Sequence, residues 1–202
     1  MIITKHDIEH QEPRFRTAFV NSLAGFRQAV LVGSKGADGS LNVAIFNSLV
    51  HLGANPALFG LINKPDSVPR DTIRNIRETG EYSLNYVRAS QFDIAHQTSA
   101  KYERGVSEFE MTGLEPMFYP NHVVPFVTDA VVKICMTLED IIPIPLNGTI
   151  LIVGSVAFVD IDTSLVGFDG FVSLSDAEVL VSQGLDAYFI SKLVGRLPHA
   201  HT

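Results

Sequence analysis

The stretch "QAVLVGSKGADGSLNVAIFNSLVHL", residues 28–52, contains two apolar runs joined by a polar turn. β-Branched and other apolar residues dominate both runs, and Asp38-Gly39 is a typical hairpin turn sequence. Asn47 and Ser48 interrupt the second run, and a buried amide or hydroxyl group needs a hydrogen-bond partner. Two interpretations stay open: a bulge satisfied by the backbone, or a surface facing a ligand of mixed polarity.

Further β-type runs lie on the C-terminal side of this stretch. They are "PALFGLIN" (56–63), "EYSLNYV" (81–87) and two long runs on either side of Asn147-Gly148. Long antiparallel strands expose edges, and closure into a barrel removes them, so we predict a mainly β, antiparallel barrel. Residues 89–125 are predicted to form a partly helical excursion over the barrel mouth. The tail, 174–198, starts with a Ser-Asp pair typical of a helix cap.

Composition indicates one domain over residues 1–202, with a core at about 20–190. At 46% hydrophobic and 18% charged residues, the chain is unusually apolar, which indicates surface hidden in a partner subunit or a cofactor pocket. The net charge is −7, with 10 basic and 9 acidic side chains in residues 1–100 and 5 and 13 in residues 101–202. An acidic chain without a basic stripe argues against nucleic-acid binding.

The sequence also gives expectations about location. No apolar run approaches the ~20 residues of a membrane-spanning helix, and the N-terminal residues lack the pattern of a secretory signal. The one cysteine, Cys135, excludes an internal disulfide and is expected to be a core residue. A cytoplasmic location and no membrane association are therefore predicted.

Several catalytic classes lack their motifs. His6 and His10 lie one helical turn apart, and His199 and His201 lie in the tail, but no cysteine or carboxylate completes a metal site at ligand spacing, so no metal is expected. The chain has no nucleophile elbow, no Gly-x-Gly-x-x-Gly turn and no P-loop lysine. A hydrolase, a dinucleotide-fold dehydrogenase and a P-loop nucleotidase are all disfavoured.

The segment "NKPDSVPRDTIRNIRETG", residues 63–80, indicates a helix that begins after a non-helical approach. Pro65 and Pro69 disfavour an earlier helix, either Asp71 or Thr72 is the expected N-cap, and Gly80 is the expected end. The first turn would then present free backbone N–H groups.

Lys64 and Arg70 flank this predicted helix start, and cations beside free N–H groups bind anions, phosphate above all. An ordinary helix start with solvated charges is the alternative. A second polar segment, "AHQTSA" (95–100), offers small side chains and, as we expect, free backbone N–H groups suited to the edge of a flat heteroaromatic ring. Its alternative is an ordinary helix end. Together these segments describe a ligand with a phosphate and a hydrogen-bonding ring, and flavin mononucleotide (FMN) fits.

Four segments in order resemble the flavin reductase-like family, the FMN-binding split barrels that include flavoredoxin-like proteins and the reductase partners of flavin-dependent monooxygenases. They are "DGSLNVAIFNSLVHLGANPALFGLIN" (38–63), "PRDTIRNIRETGEYSLNYV" (69–87), "RGVSEFEMTGLEP" (104–116) and "NGTILIVGSV" (147–156). The resemblance covers roughly residues 20–190. It implies a Greek-key-like, six-stranded antiparallel split β-barrel with helical excursions, a homodimer, and FMN bound without a covalent link.

The resemblance also implies the positions that contact FMN. They are Phe46, Asn47, Ser48 and Leu49 along the flavin ring, Lys64, Arg70 and Thr72 around the phosphate, and Thr98, Ser99 and Ala100 over the ring, with Asn63 as a further cofactor-binding position. The region 63–70 is longer than in many members of the family, so the identity of the cation that meets the phosphate stays open.

The function implied is an NAD(P)H-dependent flavin reductase that passes hydride from nicotinamide to flavin, with NADH or NADPH as donor. The flavin carries this chemistry and needs no general acid or base, although His96 is a candidate for steadying charge on the reduced ring. An FMN-holding electron carrier reduced by a protein partner, or a non-enzymatic FMN-binding module, are the alternatives. A monooxygenase or electron-transfer protein is the expected partner.

Overall fold

The computed structural model of the chain describes residues 1–65, 70–103 and 105–198. Its α-helices are α1 (Lys5–Glu9), α2 (Pro13–Leu23), α3 (Asp71–Thr79), α4 (Phe92–Gln97) and α5 (Glu108–Thr112). Its strands are β1 (Arg27–Gln28), β2 (Val30–Lys35), β3 (Leu41–Phe46), β4 (Leu49–Ala54), β5 (Ala57–Asn63), β6 (Glu81–Tyr86), β7 (Pro116–Met117), β8 (Phe126–Val127), β9 (Val132–Ile144), β10 (Thr149–Ile161), β11 (Leu180–Gln183) and β12 (Ala187–Ile190). The predictions at Pro69, His199 and His201 lie outside the described residues. Within those residues, no helix combines the length and the apolar character needed to cross a membrane.

Seven strands form one antiparallel sheet in the order β3-β2-β6-β9-β10-β5-β4. The two edge strands, β3 and β4, are consecutive in the chain and are joined only by Asn47 and Ser48. Three Cα steps of ~3.8 Å cannot bridge a flat sheet of seven strands, which would be roughly 29 Å wide at ~4.8 Å per strand. The sheet must therefore roll until its edges meet.

The rolled sheet confirms the predicted mainly β, antiparallel split-barrel architecture and corrects two details. The sheet has seven strands rather than six, and β3 and β4 are not paired with each other, so the barrel is not closed. The run 42–52 is two strands, because the chain changes edge at Asn47 and Ser48.

Strand β2 is buried on both faces of the sheet, which explains its nearly continuous apolar sequence. Val30 and Val32 face the main core, where Ile73 and Ile76 of α3 pack. Leu31, between them, faces a second cluster that includes Ala95 of α4 and Phe109 of α5. Helix α3 thus packs on the inner face of the rolled sheet, and α4 and α5 pack on its outer face.

The end of the predicted excursion lies against the outer face of β2 and β6 and does not cover the barrel mouth. The Ser83 hydroxyl donates to the Pro125 carbonyl at 2.6 Å, and the Val127 N–H donates to the Asn85 side-chain oxygen at 2.9 Å. At Gly33, a Cβ atom would lie 2.3 Å from the Pro125 oxygen, so only glycine permits this close approach. Ser83 and Asn85 are the outward residues of β6, and that is why the polar excursion packs there.

The tail forms a β-hairpin, not the helix that its Ser-Asp pair indicated. Strands β11 and β12 are antiparallel, with Ser182 opposite Tyr188. Gly184 follows β11 with φ of +67°, a backbone conformation that favours glycine. The hairpin also joins β1 in a separate three-stranded sheet.

Candidate functional site

Helix α3 begins without a side-chain cap within the described residues. Arg70 is the N-cap residue, with extended backbone (φ −130°, ψ 127°), and its side chain makes no capping hydrogen bond. The prediction that Asp71 or Thr72 would cap the helix was wrong, because both lie inside the first turn. The predicted end at Gly80 is confirmed, with φ of +72°. The first N–H groups of α3 therefore have no side-chain acceptor from a cap.

The Thr72 hydroxyl is engaged inside the protein. Thr72 is 5% exposed, and its Oγ1 lies 3.0 Å from the Asn42 side-chain amide. Beside this pair, the Glu108 carboxylate accepts a hydrogen bond from the Val43 N–H at 3.3 Å. Burial raises the pKa of Glu108. A contact between Thr72 and a phosphate stays a prediction.

Arg70 and Lys64 are the cations available at the start of α3. The Nε atom of Arg70 is buried and has no hydrogen-bond partner among the described residues. Arg74, one turn further along, is already neutralised by Asp71 at 3.0 Å and Glu78 at 3.7 Å. Arg74 is therefore already ion-paired, whereas Arg70 has a buried donor that a ligand could satisfy.

Asn63 supports the chain leading to these cations. It ends β5, is 2% exposed, and donates from Nδ2 to the Lys64 carbonyl at 2.9 Å. This bond fixes the backbone of Lys64, whose side chain is exposed. Direct contact between Asn63 and a ligand stays a prediction.

Residues 46–49 form the junction between the sheet edges, and their polar side chains bind the backbone. Asn47 Nδ2 donates to the Gly184 carbonyl at 2.8 Å, and Ser48 Oγ donates to the Ile62 carbonyl at 2.8 Å. Phe46 and Leu49 pack against the main core. Backbone carbonyls therefore accept from both side chains, as the first alternative expected, but the segment is a crossing between sheet edges and not a bulge. Flavin contact by residues 46–49 stays a prediction.

His96 lies on the exposed side of α4 and contacts the tail hairpin. Its Nδ1 is 2.8 Å from the Tyr188 hydroxyl, and the two rings meet edge to face. Burial raises the pKa of Tyr188, with a smaller contribution from the Asp186 charge, so the hydroxyl keeps its proton at neutral pH. The pair can therefore be joined by a hydrogen bond from tyrosine to a neutral imidazole.

The tail hairpin is the feature that the sequence analysis missed. Through Gly184 it holds Asn47, and through Tyr188 it holds His96, so it brings two predicted site segments to one place. The sequence signal was present, since Gly184 stands between two short apolar runs, "VLVS" and "AYFI".

Residues 98–100 close the C-terminal end of α4 and do not offer free N–H groups. The N–H groups of Thr98, Ser99 and Ala100 each donate to the carbonyl three residues earlier, at 3.3, 2.9 and 3.1 Å. Thr98 is 2% exposed, and its hydroxyl also bonds inward, to the Ala95 carbonyl at 2.7 Å. This corrects the expectation of free donors. Only the exposed side chains of Ser99 and Ala100 remain for the predicted ligand contact.

The donors around α3 suit a phosphate monoester such as that of FMN. Among the residues that the structure describes, this stretch of chain carries a helix start without a side-chain cap, a buried guanidinium nitrogen without a partner and an exposed ammonium group. Each is a group that a phosphate oxygen satisfies, and the two cations offset its charge.

Comparison with known proteins identifies relatives over most of the chain. A family model described as "Flavin reductase like domain" matches residues 25–170. A crystal structure of a candidate flavin reductase with a split barrel domain, from Shewanella frigidimarina NCIMB 400, is 40% identical, with a TM-score of 0.95. That similarity covers 99% of this chain and 100% of the other.

Two more distant structures share the fold. Nitrilotriacetate monooxygenase component B from Bacillus cereus is 21% identical, with a TM-score of 0.86 over 98% of each chain. Flavoredoxin of Desulfovibrio vulgaris (Miyazaki F) is 16% identical, with a TM-score of 0.74 over 87% of this chain and 92% of the other. The chain spans 59% and 56% of the lengths of the two curated relatives that it matches in sequence.

Proposed function

The chain belongs to the flavin reductase-like domain family, and from this premise we propose that it binds FMN and is an NAD(P)H-dependent flavin reductase. The main observation in its support is the buried Arg70 Nε, which has no partner among the described residues and lies at a helix start whose N-cap side chain makes no capping hydrogen bond. A flavin mononucleotide has an anion of the charge and size that these donors require, and riboflavin has none.

In this proposal the chain binds and orients the cofactor. Arg70, Lys64 and the first N–H groups of α3 hold the phosphate, while residues 46–49 and the exposed side chains of Ser99 and Ala100 flank the ring. When bound, the flavin supplies the capacity to accept a hydride from NADH or NADPH. The protein's contribution is then position and exclusion of water, for which no general acid or base is needed.

His96 is proposed to stabilise negative charge on the reduced flavin ring. Its support is the contact with Tyr188, which belongs to the same hairpin that holds Asn47. With Nδ1 accepting from Tyr188, the imidazole carries its proton on Nε2 and would donate it in a hydrogen bond to an anionic ring, and the tyrosine hydroxyl limits the rotation of the imidazole.

A homodimer is part of the proposal, and exposed apolar side chains support it. Val50 and Leu52 on the edge strand β4, and Phe15 on α2, are 44%, 43% and 52% exposed. Apolar surface on an unpaired sheet edge is the kind that a second copy covers. Light scattering on the protein after gel filtration tests this, with twice the chain mass as the expected result and the single-chain mass as the contrary one.

The reductase activity is tested by anaerobic absorbance spectroscopy. Purified protein is loaded with FMN and given NADH, then NADPH, without oxygen. Bleaching of the flavin bands at a rate well above that of free FMN is the expected result. If the bound bands persist with both donors but bleach with dithionite, the chain holds FMN and the reductase proposal is overturned.

A flavin-holding electron carrier is the second candidate function. One observation favours it: residues 101–202 carry 13 acidic and 5 basic side chains, a charge that would attract a basic protein partner and repel anionic NADPH. A monooxygenase or another electron-transfer protein is the proposed partner class. The prediction of a cytoplasmic location belongs to either function.

A further inference from the structure

Three side chains with metal-binding atoms converge on the outer face of the sheet. Glu81 begins β6, Cys135 lies in β9, and His122 lies between β7 and β8. His122 Nδ1 is 3.1 Å from the Glu81 carboxylate and 3.4 Å from Cys135 Sγ, and the three ligand atoms lie within 4.8 Å of one another. Along the chain, His122 is 41 residues from Glu81 and 13 from Cys135. These separations explain why the sequence analysis expected no metal site.

We propose that Glu81, His122 and Cys135 bind one borderline divalent transition-metal ion of the Zn²⁺ type. Carboxylate oxygen, imidazole nitrogen and thiolate sulfur are the three donor types that Zn²⁺ takes from proteins. With bonds of ~2.0–2.3 Å, tetrahedral ligand atoms lie about 3.3–3.7 Å apart. The two separations that involve His122, 3.1 and 3.4 Å, are already close to this range, and the third, between Glu81 and Cys135, is at most 4.8 Å.

The surroundings of the three side chains suit a bound ion. The Val123 N–H donates to the second oxygen of Glu81 at 3.2 Å and so orients the carboxylate. The His122 ring packs against Phe158 with 5.0 Å between ring centroids, which restricts its rotation. The side chains of Glu81 and His122 are 23% and 24% exposed and Cys135 is fully buried, so a fourth ligand from solvent would approach from the side of Glu81 and His122.

Binding also balances charge. The Sγ–H bond of Cys135 breaks, its proton leaves to solvent and a metal–sulfur bond forms, with no change of oxidation state. The thiolate and the Glu81 carboxylate then neutralise the dication, and the sulfur ligand disfavours Mg²⁺ and Ca²⁺, which prefer oxygen. In the absence of an ion, burial and, to a lesser extent, the Glu81 charge raise the pKa of Cys135 to about 12, which argues against a nucleophilic thiolate.

A metal ion bound here would stabilise the fold and would not contact the flavin. Ser83 and Cys135 are paired across β6 and β9, and the polypeptide at 122–127 lies over them. An ion held by Glu81, His122 and Cys135 would therefore tie this segment to the two central strands. The donors proposed for the flavin phosphate lie with α3 on the inner face.

Cobalt(II) is the probe, because a cobalt–thiolate bond gives an intense near-ultraviolet charge-transfer band. Cys135 is the only cysteine in the chain, so such a band reports this site alone, whereas His6 and His10 cannot produce it. We expect the purified protein to develop the band up to one equivalent of Co²⁺ and to lose it when Zn²⁺ is added. Difference spectra remove the contribution of any bound flavin.

Three variants and one control decide the assignment. Cys135→Ser should abolish the band, His122→Gln should weaken Co²⁺ binding at least tenfold, and Glu81→Gln should weaken it while the band persists. His51→Gln changes an exposed histidine that packs edge to face on Phe59 of β5, and it should have no effect. Zn²⁺ should also raise the melting temperature of the unmodified chain and not that of His122→Gln.

The proposal is overturned if the unmodified chain gives no thiolate band, or if His122→Gln binds Co²⁺ as tightly as His51→Gln. Either result would mean that the three side chains form only a hydrogen-bonded group. If Cys135→Ser fails to fold, the His122→Gln titration and its melting temperature still decide the question.

Discussion

Free backbone N–H groups were predicted at both the start of α3 and the end of α4, but the two helix ends differ in the structure. At α3 the first N–H groups lack a side-chain cap, and Arg70 Nε has no partner within the described residues. At α4 the N–H groups of residues 98–100 all donate back to the helix. A helix leaves N–H groups free at its first turn and carbonyl groups free at its last, so a polar helix end binds an anion only at the N-terminal end.

The largest effect on FMN affinity is expected at Arg70. Arg70→Ala should weaken FMN by about 1–3 kcal/mol, or roughly 5- to 150-fold, because a charge-assisted contact to the phosphate is lost. Riboflavin, which has no phosphate, should bind as before. Flavin fluorescence titration of both ligands measures the difference.

Arg14→Ala is the matched control, since it removes an exposed arginine of α2 and changes net charge by the same amount. It should leave both affinities unchanged. Equal weakening of FMN and riboflavin by Arg70→Ala would show that Arg70 supports the fold and does not bind phosphate.

The second-largest effect is expected at Asn47, between the two sheet edges. Asn47→Ala removes the hydrogen bond to Gly184 and so loosens the tail hairpin that contacts α4 through Tyr188. We expect the free energy of unfolding to fall by about 0.5–1.5 kcal/mol, measured by urea denaturation. The ratio of FMN to riboflavin affinity should not change, because the start of α3 is untouched. A large change in that ratio would mean that Asn47 also affects phosphate binding at the start of α3.

A smaller effect is expected at Lys64. Its side chain is exposed, so Lys64→Ala should weaken FMN by only about 0.2–1 kcal/mol. The loss should shrink as salt is added, because screening acts most strongly on exposed charges. Titrations at low and high ionic strength check this, and an effect that exceeded that of Arg70→Ala at both would assign the main phosphate contact to Lys64.

The smallest effect is expected at the end of α4. Ser99→Ala removes an exposed hydroxyl while the N–H groups of residues 98–100 stay bonded within the helix. FMN and riboflavin affinities should both change by less than about 0.5 kcal/mol. A selective loss of FMN affinity in the same fluorescence titration would place phosphate contacts at α4 and contradict the account.

Much of the fold could be predicted from local patterns. Alternation and turn sequences gave the strands on both sides of Asp38-Gly39 and Asn147-Gly148, and Gly80 marked the end of α3. What the patterns could not give was the change of sheet edge at Asn47 and Ser48. That change follows from which strands pair, and pairing depends on contacts distant in sequence.

The parts of the candidate site formed by neighbouring residues could be predicted from the sequence, and the contacts between residues distant in the chain could not. Cations beside a helix start are visible in "NKPDSVPRDT", residues 63–72. The engagement of Thr72 by Asn42, 30 residues earlier, is not, and neither is the contact between Asn47 and Gly184, separated by 137 residues. A hydroxyl or amide in a sequence does not show whether the fold has already satisfied it.

A phosphate site at the start of α3 is tested by the affinity of the unmodified chain for FMN and for riboflavin, measured side by side at low salt. FMN should bind at least tenfold more tightly than riboflavin, and added inorganic phosphate should reduce this difference in affinity, because phosphate competes at Arg70 and the start of α3. Equal affinities, unaffected by phosphate, would contradict the phosphate-site assignment.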